Sequence, residues 1–423
     1  MISRYFLSRV SVLLALTLSY PCFSLTIDES WQLAKKNDPD YEMAQIDVQI
    51  GETGISLGRS ALLPSLDASA SANWNQDRDN TNSYSLGLSQ TIWDSSLWSN
   101  LDGAQASYLK TKLELAKARD FLAQQVLSTY LQVASAQSEL RLAENKFTEG
   151  NKLLQIIEKR YRAGKVTSVD VEEIRANQLS EQASILESKG TLQSVISELA
   201  ALINQIPDQV EQITMDSLIE PPMLVKSEHK WLKLAKDHSP ELLAAAQSVK
   251  ASEFARQSAQ GGYYPTVKGT LGYSDDDRYS DGEFNAGLTL NLPIDLNGAT
   301  RAKVEEASLN VLKAKQDKRK VEIDIGKRIR QQYTQVNITW DRVLMANSLV
   351  ESNSNILTSK EKLYDAGKLE ASDVINAHNS LYEAKVSLQT NLYSYWIKRI
   401  DLLHTAGQLD DDTISIISQA FRL

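Results

Sequence analysis

Two eleven-residue segments carry the side chains of this sequence that could do chemistry. They read YRAGKVTSVDV from Tyr161 and YDAGKLEASDV from Tyr364. Each ends in an aspartate followed by a valine, and these aspartates are Asp170 and Asp373. A carboxylate in such a place could attract cations, or it could only stabilise the positive N-terminal end of a following helix. The residue types and their spacing leave both interpretations open.

The glycine of each segment predicts a turn between two helices. Gly164 and Gly367 stand where a helical pattern ends, and glycine adopts the positive φ of a helix C-terminus without strain. A serine follows in each copy, Ser168 and Ser372, and serine is a favoured N-cap of the next helix. We therefore expect each segment to form the tip of a helix hairpin.

Residue patterns typical of enzymes and metal sites do not occur in the sequence. The four histidines are widely spaced and form no HxxxH pair: His229, His238, His378 and His404. There is no nucleotide-binding glycine loop, no nucleophile elbow and no pair of catalytic carboxylates. The sequence therefore predicts neither catalysis nor a metal or cofactor, and a transport process would need its energy from a partner protein.

Composition narrows the class of protein further. The chain is acidic, with 45 Lys and Arg against 54 Asp and Glu and a net charge of −9, so we expect no nucleic-acid partner. Residues 1–24 have the pattern of a cleaved export signal: Arg4 and Arg9 precede a short apolar run that ends before small residues. No later run is apolar enough for a transmembrane helix. Membrane strands would escape such a search, because their apolar and polar residues alternate.

The rest of the sequence is interpreted as a tandem duplication. LAKKNDPDYEMA from Leu33 aligns with LAKDHSPELLAA from Leu234, and ALLPSLDAS from Ala61 aligns with GYYPTVKGT from Gly262. With the tip segments, these matches keep an offset of 201 to 203 residues. A nearly constant offset predicts two half-repeats, each with a helix, a β-hairpin, a long helix, a tip and a return helix. The half-repeats span 25–225 and 226–423, with hairpins at about 65–93 and 266–295 and tips at about 161–173 and 364–376.

The long helices have the apolar spacing of a coiled coil. In the last helix of the second half, apolar residues recur every three or four positions at Val374, Ala377, Leu381, Ala384 and Leu388. The preceding helical stretch continues for roughly 65 residues, which at 1.5 Å per residue makes a rod of roughly 100 Å. Such a rod is too polar for lipid and must pack against neighbours in water.

The predicted strands alternate between apolar and polar residues. In the most regular strand, Leu288, Leu290 and Leu292 alternate with Thr289 and Asn291. Each strand has the ~10 residues of a tilted membrane strand. Aromatic residues beside the two loops would form an interfacial girdle: Trp74, Tyr84, Tyr273 and Phe284. The same alternation is also normal for a soluble two-sided sheet.

Four strands cannot close a membrane barrel, because the smallest have about eight. A membrane protein of this kind must therefore be an oligomer, with eight strands from two chains or twelve from three. The alternative is a structural protein without a channel, either a periplasm-spanning coiled-coil adaptor or an adhesin, whose hairpins pack as a soluble sheet.

The export signal, the duplicated halves, one hairpin per half and the two YxAG…DV tips together resemble the TolC family of outer membrane efflux proteins. The resemblance covers the whole mature chain. It implies a homotrimer that is mainly α, with a twelve-stranded β-barrel in outer-membrane lipid and a coiled-coil tunnel across the periplasm. The segment between the halves and the C-terminal segment would form an equatorial domain. The implied function is an exit duct for drug efflux, type I protein secretion or both, served by a periplasmic adaptor and an inner-membrane pump of the RND, MFS or ABC type.

The resemblance also assigns the two tips to the periplasmic aperture of the tunnel. Asp373 falls where members of the family carry an aperture carboxylate, whereas Asn376 stands where a second one is common. Glu173 is the equivalent position in the first half, and Tyr364 and Asp170 belong to the same ends. An arginine that braces the aperture in the family is replaced here by Leu369. Lys165 and Lys368 are the nearby basic residues that could substitute for it.

Overall fold

The computed structural model describes residues 24–74, 76, 80–213, 221, 223–277 and 281–420. The predicted export signal, apart from its last residue, lies outside the described residues. The first part of the chain forms α1 (Ile27–Asn37), α2 (Pro39–Ser60), β1 (Ser65–Asn73), β2 (Thr81–Trp93), α3 (Ser95–Arg162) and α4 (Ser168–Ile203). The second part forms α5 (Glu228–His238), α6 (Pro240–Gly261), β3 (Thr266–Asp276), β4 (Glu283–Asn291), α7 (Ala299–Asp365), α8 (Ala371–Thr405) and α9 (Asp411–Ala420).

The order of elements repeats. Two short helices, a β-hairpin, a very long helix and a return helix occur twice, and α9 follows at the end. Pro39 and Pro240 begin α2 and α6. Proline is suited to the first helical position because its missing N–H has no partner there. Each opening helical stretch is therefore split into two helices.

The long helices α3 and α7 contain 68 and 67 residues, so each is roughly 100 Å long. Helix α3 packs against α4 and α6, and α7 packs against α8. The five apolar positions predicted to form the seam of α8 are all buried, which confirms that part of the coiled-coil prediction.

Buried apolar side chains form two hydrophobic clusters in the described part of the chain. The larger one lies around the middle of α3 and gathers side chains from α1, α4, α5, α7, α8 and α9. The smaller one, here called the tip cluster, consists of Ile157, Val171, Ile174, Leu357, Tyr364, Ala371, Val374, Ala377 and Leu381. The tip cluster therefore joins the ends of both helix hairpins.

Short elements surround the larger cluster. Leu25 forms a parallel bridge with Val210, which lies in the segment between the halves. The indole Nε1 of Trp31 in α1 donates to Asp411 Oδ1 of α9 at 2.8 Å, and Lys35 lies 3.2 Å from the same carboxylate. These contacts fasten the N-terminal helix and the C-terminal helix to each other.

The two hairpins form one antiparallel sheet with the order β1-β2-β3-β4. The central pairing places Leu86 opposite Tyr273 and Leu88 opposite Leu271, and a bulge interrupts the register between Thr91 and Trp93. Strands β1 and β4 are the two edges of the sheet in the described residues. Among those residues, no helix combines the length and the apolar composition needed to cross a membrane.

Candidate functional site

The first candidate site is the sheet, which has one apolar face. The register aligns Ala68, Leu86, Tyr273 and Phe284 in a row across all four strands. The neighbouring row on this face is Leu66, Leu88, Leu271 and Ala286. Leu288 and Leu290 of β4 lie on the same face, and among the described residues their side chains are left 71% and 67% exposed. An uncovered apolar face of this kind is suited to contact lipid.

The opposite face of the sheet is polar. Serine hydroxyls of β1 and β2 pair across the strands, with Oγ–Oγ distances of 2.9 Å for Ser65–Ser89, 2.8 Å for Ser69–Ser85 and 2.8 Å for Ser71–Ser83. Thr270 and Thr289 of β3 and β4 belong to the same face. The alternation predicted for the strands therefore corresponds to one apolar and one hydroxyl-rich surface.

The predicted girdle residues lie towards the loop end of the sheet. Tyr84, Tyr273 and Phe284 share the apolar face, and the Tyr273 and Phe284 rings are 4.9 Å apart between centroids. Trp74 follows β1 directly and is exposed. Trp93, which the sequence analysis did not single out, is another exposed tryptophan and lies at the far end of β2, beside the bulge.

The second candidate site is the pair of helix-hairpin tips, which have the same turn. Gly164 has φ 69° and Gly367 has φ 68°, and each follows the end of a long helix. Lys165 N donates to Arg160 O at 2.9 Å, and Lys368 N donates to Leu363 O at 3.0 Å. This six-to-one bond around a left-handed glycine is the Schellman motif, which terminates a helix.

The predicted serine caps are wrong. Thr167 is the N-cap of α4, where its hydroxyl accepts from Asp170 N at 3.2 Å and Asp170 Oδ2 accepts from Thr167 N at 2.7 Å. Glu370 occupies the N-cap of α8 and makes no side-chain cap bond. The cap lies three residues after the glycine in both tips, so Ser168 and Ser372 come too late in the chain and lie inside the first turn.

Asp373 lies in the first turn of α8, and its basic neighbour is not one of those expected. Lys360 Nζ of α7 is 3.6 Å from Asp373 Oδ1 and donates to the Asp373 carbonyl oxygen at 3.3 Å. Lys165 and Lys368 instead belong to the turns themselves. The physical reason is the antiparallel packing of α7 and α8, which brings a residue one turn before the helix end beside the start of the return helix.

The remaining predicted aperture residues differ in burial. Glu173 and Asn376 are exposed, whereas Tyr364 is buried in the tip cluster. Its counterpart Tyr161 is 48% exposed. The duplicated tyrosines therefore have different environments, and burial raises the pKa of the Tyr364 hydroxyl.

Arg160 joins the two tips and was missed by sequence reasoning. Its guanidinium carbon lies 4.4 Å from the centroid of the Tyr364 ring. Its Nη2 donates to Asp365 Oδ1 at 2.8 Å, across 205 residues of sequence. A cation over an aromatic face and a charged hydrogen bond are both attractive. The equivalent residue in the second half is Leu363, so only one copy of the repeat carries this link.

Comparison with known proteins identifies the family. A family model described as outer membrane efflux protein matches residues 31–205 and 231–408. The chain belongs to this family. The alkaline protease secretion protein AprF of Pseudomonas aeruginosa is 22% identical, over 96% of this chain and 89% of AprF. Outer membrane protein TolC of Escherichia coli is 23% identical, over 92% of this chain and 84% of TolC.

Solved structures show the same fold. The Campylobacter jejuni CmeC outer membrane channel has a TM-score of 0.78 and 18% identity, covering 94% of this chain and 89% of CmeC. The outer membrane protein VceC of Vibrio cholerae has a TM-score of 0.77 and 18% identity, covering 90% of this chain and 96% of VceC. These likenesses confirm the TolC-family fold: mainly α, with a helical tunnel region and a β contribution.

The family decides between the two interpretations of the sheet. The protein is an outer membrane exit duct that extends into the periplasm, and the soluble adaptor or adhesin is set aside. The family is one of channel proteins. The apolar face of the sheet is accordingly the surface suited to outer-membrane lipid.

Proposed function

We propose that three copies of the chain close a twelve-stranded barrel in the outer membrane and a helical tunnel below it. The observation behind this proposal is the four-stranded sheet, whose edge strands β1 and β4 pair with no further strand among the described residues. In lipid each unpaired backbone group costs several kcal/mol, so such edges must pair with another chain. The number three, rather than two, follows from the resemblance to the TolC family.

The repeated order of elements supports two half-repeats, 25–225 and 226–423. Each half contributes one hairpin to the sheet and one pair of antiparallel helices to the tunnel. The contacts of α1 with α9 and of Leu25 with Val210 support an equatorial domain around the middle of the tunnel.

The names of related proteins indicate which cargo this duct could carry. AprF and PrtF are named as protease secretion proteins, OpmQ as a pyoverdine export protein and CusC as a cation efflux system protein. Because proteins and small solutes both occur among these relatives, the proposal covers type I secretion as well as drug efflux. The duct works with a periplasmic adaptor protein and an inner-membrane pump of the RND, MFS or ABC type. The pump supplies the energy, and the proposal gives the duct itself no catalytic, metal-binding or cofactor role.

The helix-hairpin tips form the periplasmic aperture in this proposal. Asp170, Glu173, Asp373 and Asn376 lie at the ends of the hairpins, where six ends meet in a trimer. The Arg160–Tyr364–Asp365 contact supports a closed resting state, because it holds the two hairpins of one chain together. An adaptor or pump that separates the hairpins would open the duct.

The experiment that tests the proposal is a mass measurement of the purified protein in detergent, together with fractionation of cell membranes. We expect a single species with three chains, recovered from the outer-membrane fraction. A monodisperse monomer that stays soluble without detergent would overturn the proposal, because its sheet edges would then need no partner.

A further inference from the structure

Helices α2 and α6 occupy equivalent places in the two half-repeats, but they are covered to different extents. Helix α6 packs against both α3 and α7, whereas α2 packs closely against α3 alone among the described helices. None of the residues of α2, all of which the structure describes, is buried. Met43 of α2 is 55% exposed, and its repeat equivalent in α6, Ala244, is 7% exposed. One side of α2 therefore lacks the neighbour that α6 has.

The open side of α2 carries an apolar stripe with carboxylates beside it. Residues three, four and seven positions apart share one face of a helix, and the exposed apolar residues of α2 have this spacing: Met43, Ile46, Ile50 and Leu57. Three exposed carboxylates each lie three or four positions from a member of the stripe: Asp40, Glu42 and Asp47. Gly51 and Gly58 lie on the other side, against α3. This open side is here called the acidic face.

Helix α7 has an exposed face of the same construction with the opposite charge. Its exposed apolar residues are also three, seven or fourteen positions apart: Leu309, Leu312 and Ile323. Three exposed basic residues each lie three or four positions from Ile323: Arg319, Lys320 and Lys327. This side of α7 is here called the basic face. Among the described residues, the three carboxylates of α2 and these three basic residues form no ion pair.

The contacts of α6 indicate that the two faces lie at the same level of the molecule. Arg328 of α7 contacts Glu241, and Lys315 contacts Glu253 at 3.2 Å, so residues 241–253 of α6 run antiparallel to residues 328–315 of α7. The repeat equivalents of residues 241–253 are residues 40–52 of α2. In a ring of equivalent half-repeats, residues 40–52 of α2 therefore lie level with residues 315–328 of α7.

The sheet brings the two faces together when a second copy is present. Helix α2 leads into β1, and α7 follows β4. These are the edge strands, which pair with no further strand among the described residues. Pairing of β1 of one copy with β4 of the next places α2 of the first copy beside α7 of the second. Helix α7 then lies between α6 of its own chain and α2 of the neighbour, just as α3 lies between α2 and α6 within one chain.

The charges at this level are complementary. Residues 40–52 of α2 contain four carboxylates and no lysine or arginine, whereas residues 315–328 of α7 contain six basic and three acidic residues. The equivalent stretch of α6, residues 241–253, has one lysine and two glutamates and is nearly neutral. Complementary charge across an interface speeds encounter and disfavours wrong partners. The charge difference thus occurs where two separate chains must find each other, and not where α6 is already tethered to its neighbours.

We propose that the acidic face of α2 docks on the basic face of α7 of a second copy, and that their opposite charges select and orient this joint between subunits. The inference rests on the proposed function, because it names the surfaces by which the copies of the duct meet. The two faces are different surfaces, so the joint is head-to-tail, and copies joined in this way close into a ring. The joint itself does not fix the number of copies.

The first test reverses the charges in the full-length protein. The variants are Asp40→Lys with Asp47→Lys on α2, Lys320→Glu with Lys327→Glu on α7, and all four replacements together. Lys230→Glu with Lys233→Glu reverses two exposed charges of α5 and is the matched control. The measurement is the fraction of chains that assemble into oligomers from unfolded monomers in detergent, determined by native mass spectrometry.

Each double reversal places like charges across the joint, so we expect a severalfold smaller oligomer fraction at about 0.1 M salt than in the wild type. Salt screens exposed charges, so the loss should shrink at about 1 M salt. The fourfold variant restores opposite charges and should assemble like the wild type, as should the α5 control. A fourfold variant that assembles no better than either double reversal would overturn the charge pairing, and so would an equal loss in the α5 control.

The second test locates the joint without changing its charges. Ile46→Cys and Ile323→Cys are introduced together, and a bismaleimide is added to the assembled protein. The sequence has one other cysteine, Cys22, within the predicted export signal. We expect covalent oligomers from the double variant and none from either single variant. Absence of cross-linked chains in intact oligomers would overturn the joint and leave the trimer standing. Cross-linked rings of a number other than three would support the joint and overturn the proposed trimeric duct.

Discussion

Arg160 at the end of α3 lies against Tyr364 at the end of α7, with 4.4 Å between the guanidinium carbon and the ring centroid. The two residues belong to different copies of the repeat, and neither copy could make this contact alone. The link explains why the tyrosine is buried in one tip and exposed in the other. It is one of the contacts that join the two hairpins of a chain.

The first prediction concerns this link. Arg160→Ala removes both the contact with the ring and the ion pair with Asp365, so we expect the tip to open and the bilayer conductance to rise. Loss of a cation–aromatic contact and a partly exposed ion pair corresponds to roughly 1–2 kcal/mol. Arg162→Ala, at an exposed position on the same helix end, is the matched control and should conduct like the wild type. Equal conductance in all three proteins would show that the link does not hold the tip closed.

The second prediction concerns the apolar face of the sheet. Leu288 lies opposite Gly269 near the middle of β4 and is exposed on this face. Replacing it with arginine should lower the stability of the inserted protein by about 2–4 kcal/mol if it lies at the bilayer midplane. Thr289→Arg places the same side chain on the polar face and should be tolerated. The measurement is the amount of folded trimer in the outer membrane. Equal loss in both variants would mean that the two faces are not distinguished by lipid.

The sheet is also where sequence reasoning succeeded most fully. The strands could be predicted because alternation is a local property, and the register then follows from matching one apolar face across neighbours. The buried seam of α8 was predictable for the same reason, because the spacing of its apolar residues is a pattern within one helix.

The tips were harder to predict because their contacts join distant parts of the chain. The contact between Arg160 and Asp365 spans 205 residues, and the His378–Glu149 contact joins the two halves. Alignment of the repeats does not show how each helix is rotated about its axis. It therefore does not show which side chain of a neighbouring helix a given residue contacts. Lys360 was missed for that reason. The serine caps failed because the Schellman turn, rather than residue preference, fixes where the next helix begins.

The third prediction concerns cation binding at the aperture. If Asp373 rings the aperture in the trimer, Asp373→Ala should reduce block by divalent cations applied from the periplasmic side, whereas Lys360→Ala should strengthen it by freeing the carboxylate from its partner. The effect should weaken as salt is added, because exposed charges are screened over about 10 Å at 0.1 M salt. Single-channel recordings with the cation on each side in turn provide the measurement.

Asn376 and Glu173 supply the controls for cation block. Asn376→Asp adds a carboxylate one turn further along α8 and should strengthen the block. Glu173→Ala changes the other hairpin and should have the weaker effect. If Asp373 only supports the N-terminus of its helix, worth about 0.3–1 kcal/mol, Asp373→Ala would lower thermal stability slightly and leave the block unchanged.

The fourth prediction concerns pH and the C-terminal helix. Burial alone would raise the pKa of Asp411, but hydrogen bonds from Trp31 and Lys35 outweigh it and the pKa is lowered. A carboxyl with a lowered pKa in the fold stabilises it above the pKa of the unfolded chain, and this contribution is lost as the pH falls through the folded value. Asp411→Asn should therefore reduce the unfolding temperature near neutral pH. At about pH 3 the replacement should have little effect, because most aspartate side chains of the unfolded chain are protonated there and the charge contributes little to stability.

Asp412→Asn is the matched control for the C-terminal helix, because Asp412 is an exposed neighbour in the same turn. It should leave the unfolding temperature unchanged at both pH values. The difference expected for Asp411 is small, roughly 1 kcal/mol or less, since its side chain is more than half exposed. A loss of equal size at both pH values would contradict an electrostatic origin.

Single-channel recording of detergent-purified trimers in planar bilayers shows whether trimers of this chain enclose a continuous duct with a closed periplasmic tip. We expect discrete, small conductance steps in the wild type and larger steps when Arg160 is replaced by alanine. Trimers that insert into the bilayer but give no discrete steps, either as wild type or with that replacement, would contradict such a duct.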